Sequence, residues 1–170
     1  MKKHSGMRPQ DVVILLKIAA KGKQAWLMKD LAVELGISSS EVSESLNRSV
    51  FAGLIGADKQ TLMKSNLLDF LEYALKYVYP QKPGAMVRGM ATAHSAAPLN
   101  KLIQSQEHYV WPFGHGDLRG QAIEPLHPSV PQACLKDKML HELLALSDAL
   151  RVGKSREQKL AMAELKTRIC

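Results

Sequence analysis

The chain has 170 residues, 46% hydrophobic and 23% charged, a composition that excludes a disordered protein and fits one domain or a small domain with an appendage. Its formal charge of +7 points to an anionic partner, nucleic acid being the commonest, or else to charge carried for solubility. The densest apolar run, Val12 to Leu16, is far short of the ~20 residues of a membrane span, and the opening lysines lead into no hydrophobic stretch with a cleavage site.

In chain order, Pro9 suits a first helical position, and Val12, Val13, Leu15, Leu16, Ile18 and Ala19 follow up to Gly22. So apolar a face predicts packing on the next helices or on another subunit. Asp30 to Leu35 reads as a short helix stopped by Gly36. Ser38 and Glu41 then form a capping-box pattern, opening a helix with Val42, Leu46 and Val50 on its inner face. Leu54-Ile55 and Thr61-Leu62-Met63 flank the turn residues Gly56, Ala57 and Asp58, the pattern of a short β-hairpin. Ser65 is the expected cap of a helix that turns Leu67, Leu68, Leu71, Leu75 and Val78 inward.

Residues 80–135 hold seven of the eight prolines and read as an irregular Pro/Gly-rich segment. Pro125, Pro128 and Pro131 recur every third residue, as in polyproline II, and Tyr109, Trp111 and Phe113 are expected to anchor the segment to a core. Gly114, Gly116 and Gly120 miss the dinucleotide-binding fingerprint. His94, His108, His115, His127, His141 and Cys134 lack zinc-ligand spacing, and His94-Ser95 sits in no nucleophile elbow. No metal, cofactor or enzymatic activity is therefore expected. A long ordered segment of this kind suits docking a partner protein or reshaping a dimer. Over 136–170, Asp137 caps a helix with Leu140, Leu143, Leu144 and Leu150 inward. A second capping-box pattern, Ser155 with Gln158, opens a last helix through Leu160, Leu165 and Ile169. The two cysteines, Cys134 and Cys170, predict no disulfide scaffold and fit a cytoplasmic setting.

The stretch from Leu31 to Leu46 carries the functional signal. Leu31, Leu35, Ile37, Val42 and Leu46 are apolar where two crossing helices bury faces, Ala32 is small at the crossing, and Gly36 lies at the turn. That spacing fits a helix-turn-helix or an ordinary helical corner. The order of helix, helix pair, hairpin and helix is that of a winged helix. Through "RPQDVVILLKIAA", "MKDLAVELGISSSEVSESLNR" and "AGLI", residues of about 8–78 resemble the MarR-type winged helix-turn-helix transcriptional regulators. The resemblance implies a dimer on a pseudo-palindromic operator, one recognition helix per subunit in the major groove, and a wing on the minor groove or backbone. Residues 80–170 lie outside it.

The expected fold is thus mostly α with a small β-hairpin wing. A winged helix-turn-helix domain (1–79) precedes the irregular segment (80–135) and a C-terminal helical hairpin (136–170). The hairpin and the first helix have apolar faces left over for a homodimer. With Val42, Leu46 and Val50 inward, the outward positions are Ser39, Ser40, Ser43, Glu44, Asn47 and Arg48. Serine bonds phosphate or either class of base edge, asparagine pairs best with adenine, and arginine with guanine. Phosphate contacts, which supply affinity without sequence information, fall to Lys29, Lys59 and Lys64. Glu41 is accounted for by the cap. Glu44 either accepts from cytosine, lies on a flank, or marks a helix that faces protein. The expected function is a sequence-specific regulator of double-stranded DNA, acting as a dimeric repressor. The alternative is a winged-helix protein-interaction module, or an antitoxin-like partner of a co-encoded protein.

Overall fold

Helix α1 (Pro9–Lys21) forms the floor of the N-terminal region. In the computed structural model, which describes residues 6–170, Val12 to Leu16 have no exposed surface on any side of this helix. Burial of five such side chains contributes on the order of 10 kcal/mol. Met1–Ser5, including the lysines weighed above against a signal peptide, lie outside the described residues. Pro9 takes the first helical position, the Asp11 carboxylate accepts the Arg8 N–H at 2.8 Å, and Gly22 ends the helix at φ +59°.

Helix α2 (Met28–Leu35) ends at Gly36, whose φ of +66° and ψ of 34° are left-handed, and Ile37 donates back to the Ala32 carbonyl at 3.1 Å. Helix α3 (Ser39–Phe51) follows at once and packs on α1 and α2. The expected hairpin is reduced to a single antiparallel bridge, Ile55 with Leu62, around a tight turn. Helices α4 (Lys64–Tyr73) and α5 (Leu75–Val78) come next. Leu67, Leu68, Leu71 and Leu75 are buried as expected, but Val78 is half exposed, and Ser65 lies inside α4 rather than capping it.

The segment from 80 to 135 departs most from expectation, because it is not irregular. It contains all three strands: β1 (Met86–Ala91), β2 (Tyr109–Pro112) and β3 (Leu118–Ala122). β1 pairs antiparallel with both others, and β2 pairs parallel with β3, so each strand meets the other two and the sheet closes on itself. Backbones in so small a barrel must nearly touch. A Cβ on Gly89 would lie 2.0 Å from the Trp111 carbonyl oxygen, and one on Gly116 would lie 2.0 Å from the carbonyl oxygen of Gly89. These glycines therefore serve strand packing. Pro125, Pro128 and Pro131 form no continuous polyproline stretch, since Pro128 sits in a turn and Pro131 within the first turn of α6 (Val130–Cys134).

Helices α7 (Lys138–Val152) and α8 (Ser155–Ile169) complete the chain. Asp137 caps α7, its Oδ1 accepting the Leu140 N–H at 3.0 Å. Ser155 does not cap α8; that position falls to Lys154, and Gln158 instead donates to the Gly153 carbonyl at 2.9 Å. Every residue from Leu143 to Leu150 is buried, because α1 covers one side of α7 while α8 and the barrel end cover others. The apolar faces assigned above to a homodimer, those of α1 and the C-terminal helices, are therefore consumed within the chain, and one core cluster runs from Val12 to Ile169.

Polar ties fix this arrangement. The buried Asp148 carboxylate accepts from Thr92 Oγ1 (2.7 Å), Trp111 Nε1 (2.6 Å) and Arg151 Nη1 (2.9 Å), joining the barrel to α7. Arg151 also donates to the carbonyls of Tyr79 and Glu124. Burial pushes the Asp148 carboxyl above its ordinary range, against the pull of Arg151 and its hydrogen bonds. Lys17 on α1 bonds Asp137 at 2.5 Å and Glu34 at 3.3 Å, so α1, α2 and α7 share one ionic junction.

Candidate nucleic-acid interface

The Ser38 hydroxyl accepts the Glu41 N–H at 3.2 Å and lies 3.3 Å from the Ser40 hydroxyl, which opens α3 as its sequence predicts. The reciprocal half of the capping box is not formed: Glu41 makes no return bond to the Ser38 amide and is exposed. It therefore adds a carboxylate to the outer surface after all.

Beyond the cap, α3 buries Val42, Ser45, Leu46 and Ser49. Ser39, Ser40, Glu44 and Asn47 are exposed and Ser43 is half-buried. Within this stripe Ser39, Ser43, Glu44 and Asn47 hold no side-chain hydrogen bond with other described residues.

Arg48 requires a correction. It does not face outward with Asn47; its side chain is 11% exposed and grips Asp11 in a two-pronged ion pair, Nε to Oδ2 at 2.8 Å and Nη2 to Oδ1 at 2.7 Å. The hydrogen bond with Asp11 raises the guanidinium pKa further, against the opposing effect of burial. The physical cause lies on α1. Asp11 has no exposed surface, and a buried carboxylate without a counter-charge would be strongly destabilising. Position 48 borders the inner face of α3, so the arginine turns in to neutralise it. In the sequence Asp11 reads as an ordinary acidic residue of a first helical turn, and only the unbroken apolar run after it hints that this turn is buried.

The three lysines assigned to phosphate lie around the stripe on separate elements: Lys29 in the first turn of α2, Lys59 in the turn at φ +57°, and Lys64 at the first position of α4. All three are exposed and carry no ion pair among the described residues. The turn between them is well held. Gly56 donates to the Thr61 carbonyl at 2.8 Å, Met63 to Leu54 at 3.0 Å, and the Asn66 amide to the Gly53 carbonyl at 2.7 Å.

Within that turn the Asp58 carboxylate accepts the N–H groups of Thr61 (3.0 Å) and Gln60 (2.9 Å) and the Thr61 hydroxyl (2.7 Å). These bonds, that of the Thr61 amide foremost, hold its pKa at about 2, below the ordinary 3.8. The folded value lies below the unfolded one, so the stabilisation is complete above the ordinary value and is lost as pH falls towards 2. An NMR titration of the Asp58 carboxyl carbon should give a midpoint near 2. A midpoint at the ordinary 3.8 would contradict these bonds.

The histidines of the middle segment serve structure. His94 Nε2 donates to the Glu107 carbonyl at 2.8 Å, and His141 Nε2 donates to that of Ala91 at 2.7 Å while its ring lies against Trp111. Among the described residues no three of His, Cys, Asp and Glu come together as metal ligands. Cys134 is buried, and burial pushes its thiol well above the ordinary range. A cavity of about 630 Å³ opens between α1, α2 and α6, with Gly36 and Ser129 on its wall, but its buried lysine is already engaged by Glu34 and Asp137. No helix among the described residues is long and apolar enough to cross a membrane. Compared with known proteins, the chain matches no family model, no curated protein and no solved structure.

Proposed function

We propose that the chain is a sequence-specific regulator of double-stranded DNA, of winged helix-turn-helix type, that reads the major groove with α3. The observation behind this reading is the exposed stripe of Ser39, Ser40, Ser43, Glu44 and Asn47, whose side chains are left almost without partners inside the protein. Short hydroxyl, amide and carboxylate groups at one-turn spacing are suited to base edges. The exposed Lys29, Lys59 and Lys64 supply charge for phosphate. Kinship with the MarR-type regulators, action as a repressor and a two-fold dimer belong to the same proposal. The dimer requires a surface other than α1 and α7, and the mass in solution tests it.

Binding to fragments selected from a genomic library, followed across salt, tests the reading. A protein that neutralises six to ten phosphates loses about 10³–10⁵ in affinity between 50 and 200 mM salt. Asn47→Ala should cost about 1–3 kcal/mol on the selected sequence and little on random duplex, whereas Lys64→Ala should weaken both alike. An affinity that stays flat in salt would overturn the DNA reading. It would favour the second one, a protein-interaction module, which gains support from Val33 and Phe51. These are 82% and 79% exposed on α2 and on the last turn of α3.

A further inference from the structure

We propose that the groove between α4 and α8 docks an acidic amphipathic helix of a partner protein. The inference stands whether or not α3 contacts DNA. The groove has a cavity of about 510 Å³ whose floor is Leu150, Met162 and Ala163. Three lysines surround that floor, and none has a close counter-charge. Lys76 sits 5.1 Å over the Tyr77 ring with Gln158 Oε1 at 3.5 Å, Lys166 is 3.9 Å from Glu72, and Lys159 has no anionic partner among the described residues. Elsewhere Lys17, Lys21, Arg48, Arg151 and Arg168 each meet a carboxylate at 3.0 Å or closer. The groove is thus an apolar trough under uncompensated positive charge. Its outer wall continues into Tyr73 and Tyr77, 68% and 73% exposed, a residue type enriched where proteins meet.

An occupant that matches both features carries apolar anchors one helical turn apart and carboxylates on either side, the arrangement of a helix laid in a groove. A nucleic-acid backbone matches less well, since it would leave the apolar floor unused and meet the Glu72 carboxylate in the wall.

The probe is a synthetic helical peptide with leucine at every third or fourth position and glutamate on both flanks, its binding to the full chain followed by fluorescence anisotropy. Saturable binding is expected. It should weaken by about tenfold or more in the double variant Lys159→Glu, Lys166→Glu, and also in Tyr73→Ala, through lost charge complementarity and lost contact respectively. All three side chains are exposed, so thermal unfolding should stay unchanged and separate this loss from misfolding. A peptide with its leucines replaced by serine should not bind. Absence of saturable binding, or binding indifferent to the charge reversal, would overturn the proposal. So would a charge reversal that weakens random duplex DNA as much as the peptide, which would make the groove a phosphate site instead.

Discussion

Replacing Arg48 with alanine should lower the stability of the fold by about 3–5 kcal/mol, because it strands the Asp11 carboxylate in an apolar interior. Denaturant unfolding would read this directly. The same substitution at an outward base-reading position would leave stability nearly unchanged and relax specificity at one base pair, so the two roles predict opposite results. The double variant Asp11→Leu, Arg48→Leu should recover most of the loss, since removing both charges leaves no unpaired group. If Arg48→Ala stayed within 1 kcal/mol of the wild type, the buried pair would not be what positions α3 against α1.

Gly116→Ala should be as damaging. Its Cβ would meet the Gly89 carbonyl oxygen at 2.0 Å, and backbone cannot give way as a flexible side chain can, so the cost should exceed the about 1–3 kcal/mol of ordinary overpacking. Gly89→Ala, facing the Trp111 carbonyl at the same distance, should behave alike. Gly114→Ala is the control: nothing lies within 4 Å of its added methyl group, and its backbone needs no glycine, so it should be neutral or stabilise by about 0.4–1 kcal/mol. Thermal unfolding of the three variants would check the contrast. Equal losses at Gly114 and Gly116 would mean that the run is not shaped by barrel closure.

The helical parts of this fold were legible in the sequence because each carries a local signal. Pro9, Gly22, Gly36, Ser38 and Asp137 sit where the sequence placed their caps and stops, and the Leu67-Leu68-Leu71-Leu75 stripe is buried as its period requires. The barrel was not legible, since its strands pair across long separations, as Met86 does with Gln121, and such pairing leaves no periodicity within a short window. The prolines and glycines that suggested irregular chain are there because close strand contact and tight connections need them. In the candidate interface, the outward serines, Glu44 and Asn47 followed from helical period alone. Arg48 did not, because its direction is decided by a carboxylate 37 positions earlier. Nor was the lysine groove visible, as it is assembled from α4, α5 and α8.

The junction of Lys17 with Asp137 bears on how the chain is made. The two residues are 120 positions apart, and α7 covers one face of α1. At about 5–20 residues per second of synthesis, that face waits roughly 6–24 s after leaving the ribosome before its partner exists. Throughout that interval the most apolar helix of the protein is incompletely covered. A nascent chain stalled near residue 79 should therefore be a strong client for chaperones, and its release should track the emergence of α7.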